Sequence, residues 1–332
     1  MKTWNFGIIG TGSIADFHAK AINSLSNARL LAVYGRNTDK TNKLAEKYDC
    51  KVYRDPSGIL SDPDIDILAV ATPSGAHMEP VIEAARYGKH VICEKPLEIA
   101  LDRIDQMIEA HEKQGTRLGG IFNYRFNEPV RLLKKAVDSG RFGVITNASV
   151  YVPWWRNDQY YDSSWRGKWA LDGGGALMNQ SIHMVDMLQY MMGPVISLQA
   201  YAATLGHPQI EVEDTAVAIL RFSNKALGMI YGSTASFPGQ FRRLEITGTK
   251  GTVILEENSF KVWQFADPLV GGGGVSDPMA IPFEPHARNI GAFIDAVEQN
   301  KPFEIDGREA RKSVEIISGI YQSAREHKEI CF

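Results

Sequence analysis

In the first third of the chain, apolar residues come in short runs at 6–10, 30–34, 65–71, 90–94 and 118–122. Short apolar runs bounded by turn residues suit strands covered on both faces. Between them, near 15–25, 39–48, 77–87 and 101–114, the apolar positions recur at helical spacing, with stops at Gly88 and Gly115. This alternation predicts a doubly wound parallel sheet with right-handed crossovers.

Beyond Pro129 the pattern changes. A helix is expected at 130–139, followed by strand-like segments at 144–152, 196–204, 215–222, 226–234, 242–247, 252–255 and 260–265. Serial strands joined by short turns such as Ser223-Asn224-Lys225 predict a mainly antiparallel sheet. Helices are expected at 179–192, 287–299 and 307–326, and 271–274 reads as a flexible glycine loop without an assigned role. The expected division is an α/β domain over 1–122 and an α+β domain over 123–332.

Composition narrows the function classes. The 332 residues carry 36 basic and 39 acidic side chains, a net charge of −3, which gives no electrostatic footprint for nucleic acid or a membrane surface. Cys50, Cys93 and Cys331 lack metal-type spacing and read as reduced thiols of a cytoplasmic protein. The eight histidines are likewise scattered, so no metal site is expected. With the first strand starting near Trp4, no signal peptide is expected. No apolar run approaches the ~18 residues that span a bilayer.

The first strand runs into Gly10-Thr11-Gly12-Ser13-Ile14-Ala15. Gly10 suits a tight turn, Gly12 lets the backbone approach a pyrophosphate, and Ala15 permits close packing of helix on strand. The following helix would aim its free N–H groups at phosphate. Strand before, helix after and a second strand at 30–34 make this a dinucleotide-binding turn of the Rossmann kind. Glu94-Lys95-Pro96 closes another predicted parallel strand, the end at which open α/β sheets bind ligands. Downstream, Asp172-Gly173-Gly174-Gly175 leads into a helix on which Asn179 and His183 share a face, with Asp186 one turn further and able to orient the imidazole. By themselves Asn179 and His183 read as a helix cap and a helix-packed histidine rather than as a site.

Taken together, these residues resemble the glucose–fructose oxidoreductase, inositol dehydrogenase and MocA (Gfo/Idh/MocA) oxidoreductases. The resemblance spans essentially the whole chain. It includes the 10–15 turn, Ala71-Thr72-Pro73 with His77, Glu94-Lys95-Pro96, Asn123-Tyr124-Arg125, the 173–186 block and the terminal helices. It implies a nicotinamide-binding domain followed by a domain whose open sheet supports a homodimer or homotetramer. It also implies hydride transfer between the nicotinamide and a sugar or polyol carbon. By position, Lys95 corresponds to the lysine that hydrogen-bonds the reacting oxygen, and His183 to the proposed acid/base histidine. Asn179 stands where inositol dehydrogenase-type members have aspartate, and an amide can hold a hydroxyl without taking its proton. Asp186 would be a supporting residue.

The expected cofactor-binding set is Gly10, Thr11, Gly12, Ser13, Ile14, Arg36, Ala71, Thr72, Pro73, His77, Glu94 and Lys95. The expected substrate set is Lys95, Tyr124, Arg125, Arg166, Asn179 and His183. Tyr34-Gly35-Arg36-Asn37 ends the second strand without an acidic residue for a ribose 2′-hydroxyl, and Arg36 can pair with a 2′-phosphate, so NADP is expected over NAD. The aromatic stretch Trp154, Trp155, Tyr160, Tyr161, Trp165 and Trp169, with Arg156 and Arg166, fits a sugar-binding wall or a packing loop equally well. Two other classes share this fold, a non-catalytic dinucleotide sensor and an NAD-dependent glycosidase.

Overall fold

The computed structural model describes residues 2–162, 165–266 and 283–332; the glycine loop expected at 271–274 lies outside them. Two compact units are present, Met1–Asn123 with Pro282–Arg311, and Tyr124–Ile281 with Lys312–Phe332.

The first unit is built on a parallel sheet of β1 (Trp4–Ile9), β2 (Ala28–Tyr34), β3 (Lys51–Tyr53), β4 (Ile67–Val70), β5 (His90–Cys93) and β6 (Leu118–Gly120). Its order is β3-β2-β1-β4-β5-β6, with every neighbouring pair parallel. Order reverses at β1/β4, the switch point where such sheets bind ligands. Phe6, Ile8, Ile67, Leu68, Val91 and Ile92 are fully buried, as strands covered on both faces require. The three-residue β3 was not expected, because a short segment beginning with an exposed lysine carries no apolar run.

The second unit holds an eight-stranded sheet: β7 (Ile145–Pro153), β8 (Val195–Ala203), β9 (Thr215–Phe222), β10 (Leu227–Ser233), β11 (Arg243–Gly248), β12 (Gly251–Glu256), β13 (Ser259–Phe265) and β14 (Ile330–Cys331). Its order is β13-β12-β11-β7-β10-β9-β8-β14, and only the β7–β10 pair is parallel. Strict alternation in β9 buries Ala216, Ala218, Leu220 and Phe222 on one face and leaves Val217 and Ile219 exposed on the other. Among the described residues no helix is long and apolar enough to cross a membrane.

One expectation on domain division needs correction. The segment Pro282–Arg311, placed by the sequence reading in the second domain, belongs to the first unit. Its helix Glu284–Glu298 packs on the helix Ser13–Asn23. Phe293 and Phe303 meet edge to face at 5.2 Å over Gly119, and the Gly120 N–H donates to the Ile305 carbonyl at 2.8 Å. Helical periodicity reveals that this segment has an apolar face, but not which core that face joins.

Candidate functional site

At the switch point, Gly10 adopts φ +103°, a conformation that favours glycine, and a Cβ there would collide with the Ala71 carbonyl. At Gly12 the situation is the opposite: a Cβ would have no heavy atom within 4 Å. Gly12 precedes the helix Ser13–Asn23 and caps it without a side-chain hydrogen bond, its carbonyl accepting the Ala15 N–H at 3.1 Å. Ala15 is fully buried, as its packing role requires. Thr11 Oγ1 lies 3.0 Å from Thr41 Oγ1 and against Gly35, which closes the turn beside β2. This cradle fits a dinucleotide pyrophosphate, with Gly12, Ser13 and Ile14 to hold it. Arg36 follows Gly35 and is exposed, and Asn37 is occupied in accepting the Lys40 N–H at 3.0 Å as a helix cap.

The side chains of two residues expected at the cofactor site are buried as interior braces. His77 is 1 % exposed; one ring nitrogen lies 2.9 Å from the Pro96 carbonyl and the other 2.9 Å from the Thr72 carbonyl. It therefore ties the loop after β4 to the loop after β5. Glu94 is also buried. It accepts the His18 Nε2–H at 2.8 Å and the Lys95 backbone N–H at 3.1 Å. Burial pushes its carboxyl up, but the His18 hydrogen bond and the fields of the neighbouring His18, His286 and Lys95 outweigh this and hold it at about 2. Asn123 Nδ2 donates to His286 Nδ1 at 3.1 Å, which leaves the His286 proton on Nε2, 3.9 Å from Glu94. Lys95 thus extends from a backbone fixed by a buried, ionised carboxylate. His18 and His286 were missed in the sequence. The available signal for His18 was its place three residues after the buried Ala15, on the inner face of the first helix.

In the second unit, Asn179 lies in a π-helical turn, Ala176–Ser181, and His183 in the helix Ile182–Met192 that continues it. The sequence pattern predicts both in one regular helix. The Tyr124 ring stacks on His183 with centroids 4.4 Å apart, and Arg242 donates to the Tyr124 hydroxyl at 2.9 Å while pairing with Glu257. Arg125 departs from expectation. Its guanidinium is 2 % exposed and donates from Nε and Nη2 to the two Asp186 oxygens at 2.8 and 2.6 Å. A buried bidentate pair of this kind is an internal brace, and the substrate role expected of Arg125 is replaced by a structural one. Arg166 lies over the Tyr160 ring at 4.4 Å. Within the aromatic stretch, Trp169 meets Tyr321 edge-on and Trp155 lies against His207 and Phe237, and both tryptophans keep an exposed face.

The glycine run before Asn179 has a structural cause. A Cβ on Gly174 would collide with the Tyr321 hydroxyl, and one on Gly175 with the Glu213 carbonyl. The Glu213 carboxylate is buried and accepts from Gly175 N–H at 3.0 Å, Leu177 N–H at 2.8 Å and the Tyr321 hydroxyl at 2.8 Å. It anchors the turn that carries Asn179. No motif points to Glu213, although two acids opening the alternating strand at Glu213-Asp214 are a visible irregularity.

Burial pushes the Glu213 carboxyl up to about 7, against those three donors. The folded protein therefore keeps this proton where the unfolded chain, with the ordinary value of 4.5, releases it. The stabilisation is complete below the unfolded value and is lost as pH rises through about 7. Urea titrations of wild type and Glu213→Gln should show the stability gap moving in the variant's favour by on the order of 3 kcal/mol between about pH 5 and 8. A gap independent of pH would contradict this assignment.

Residues 4–121 match the family model described as "Oxidoreductase family, NAD-binding Rossmann fold", and residues 130–254 match "GFO/IDH/MocA C-terminal domain". The chain is 33% identical over 264 residues to the myo-inositol 2-dehydrogenase of Thermotoga maritima, spanning 75% of this chain and 74% of that protein. It is 26% identical over 338 residues to the inositol 2-dehydrogenase of Rhizobium meliloti, covering 99% of each. The solved WlbA dehydrogenase from Bordetella pertussis, in complex with NADH and UDP-GlcNAcA, is 34% identical with a TM-score of 0.91, covering 100% of this chain and 99% of that one. The chain belongs to the Gfo/Idh/MocA family and is an oxidoreductase with an NAD-binding Rossmann fold.

Proposed function

We propose that this oxidoreductase interconverts a secondary alcohol and a ketone on a sugar, sugar derivative or cyclic polyol, with NADP preferred over NAD. The observation that carries the reading is the Gly10–Gly12 cradle beside a strand end where a buried carboxylate accepts the Lys95 backbone N–H. When bound, the nicotinamide supplies the hydride acceptor or donor. Lys95 donates a hydrogen bond to the reacting oxygen and stabilises negative charge developing there. His183, stacked on Tyr124, exchanges the hydroxyl proton, a task the Asn179 amide cannot perform. Arg36, exposed after β2 with no acidic neighbour in Tyr34-Gly35-Arg36-Asn37, supports pairing with a 2′-phosphate. Arg156 and Arg166 over Tyr160, at 5.3 and 4.4 Å, favour an anionic sugar derivative, as does the UDP-GlcNAcA complex of the WlbA dehydrogenase. The three cysteines are free thiols, which supports a cytoplasmic location.

The exposed apolar positions of the second sheet, Tyr201, Val217, Ile219 and Leu227, support pairing of copies through that face. Light scattering should show a dimer or tetramer for the wild type and a smaller species for Ile219→Glu; a monomeric wild type would refute this pairing.

A panel of neutral and acidic sugars, nucleotide sugars and cyclic polyols, followed at 340 nm with each dinucleotide, tests the activity. Turnover with NADP is expected on at least one member, falling about a hundredfold or more in Lys95→Ala. Arg36→Asp should move the NADP-to-NAD preference toward NAD by about tenfold or more. Undiminished turnover in Lys95→Ala would refute the mechanism, and a tenfold preference of the wild type for NAD would refute the cofactor choice.

A further inference from the structure

Four polar side chains of the second unit are joined in one direction. Arg156 donates from Nε and Nη2 to Gln180 Oε1, at 3.1 and 2.7 Å. Gln180 Nε2 donates to Asn179 Oδ1 at 2.8 Å and to the Tyr160 hydroxyl at 2.6 Å. Asn179 Nδ2 in turn donates to Asp172 Oδ1, and the other Asp172 oxygen accepts the Gly167 N–H at 2.9 Å. A guanidinium can only donate, and an ionised carboxylate can only accept. With one at each end, neither amide between them can rotate by 180° without setting donor against donor and acceptor against acceptor. Asp172 is itself 2 % exposed, so a mismatch at that end is not relieved by water.

We propose that this chain, closed by Asp172, fixes the Asn179 amide with its oxygen offered to substrate, so that Asp172 is a positioning residue selecting a hydrogen-bond donor at that point. The Tyr160 hydroxyl approaches the same oxygen at 3.5 Å, a long contact that a substrate hydroxyl can displace. Hydroxyl-bearing substrates are accepted there, and analogues that present only an acceptor, such as a methyl ether, are refused. The substrate half of this inference rests on the sugar oxidoreductase reading above; the fixed amide does not.

The test exchanges the two ends of the Asn179–Asp172 bond. Asn179→Asp alone sets two carboxylates against each other, and Asp172→Asn alone leaves one oxygen for two donors, so that its NH2 faces either the Asn179 amide N–H or the Gly167 N–H. Each should lower the melting temperature by about 3–6 °C. The double variant Asp172→Asn/Asn179→Asp restores a donor at 172 and an acceptor at 179, so it should recover most of that loss. In an Asn179→Ala background, Asp172→Asn should cost clearly less than in the wild type, because no amide remains to be misdirected. Losses that simply add, a double variant unable to fold, or the same cost in both backgrounds would overturn the fixed amide. With a substrate from the panel, Asp172→Asn should raise KM about tenfold and Asp172→Asn/Asn179→Asp should lower it again. An unchanged KM in Asp172→Asn would overturn the positioning role. If no panel member is turned over, the oxidoreductase reading fails, while the melting cycle still decides whether the amide is fixed.

Discussion

A carboxylate removed from water must find donors or surrender its charge, and this chain buries carboxylates directly behind the residues proposed to carry its chemistry. Glu94 accepts from His18 and from the backbone of Lys95. Glu213 accepts from Gly175, Leu177 and Tyr321 at the start of the turn bearing Asn179. Asp172 accepts from Asn179 itself, and Asp186 holds Arg125 beside the tyrosine that stacks on His183. Each demand for donors orders a backbone segment or fixes a side chain in a single orientation. Such satisfied buried networks give specificity of arrangement that an apolar contact of the same size would not.

The same constraint separates two uses of glycine. Gly10 is required where the backbone passes the Ala71 carbonyl, while the bare space around Gly12 admits a ligand. Gly174 and Gly175 are small because Tyr321 and Glu213 press on them. In sequence both are simply glycine turns ahead of a helix; in the fold one is a cradle and the other a clamp.

The fold was legible wherever apolar periodicity was long. The strands near 6–10, 30–34 and 65–71 and the serial strands after 144 fall close to where they were expected. Short elements escaped: Lys51–Tyr53 and Ile330–Cys331 are edge strands that sheet pairing creates and composition does not announce. The return of Phe293, Phe303 and Ile305 to the first core was hidden because periodicity carries no address. Motif residues were found, but their functions were only half readable. His77, Glu94 and Arg125 lie at motif positions and serve as braces, because a motif marks a place in space and not the direction in which each side chain points. Glu213, Asp172 and His18 lay between or within motifs, and only tertiary contact gives them partners.

The central claim, that the first unit is a dinucleotide site, is tested most directly by titration calorimetry of the wild type and Gly12→Val with NADP and NADPH. A valine side chain would occupy the space left open at Gly12. The account predicts binding by the wild type and at least about tenfold weaker binding by a variant with an unchanged circular dichroism spectrum. No binding by the wild type, or equal binding by both proteins, would contradict it.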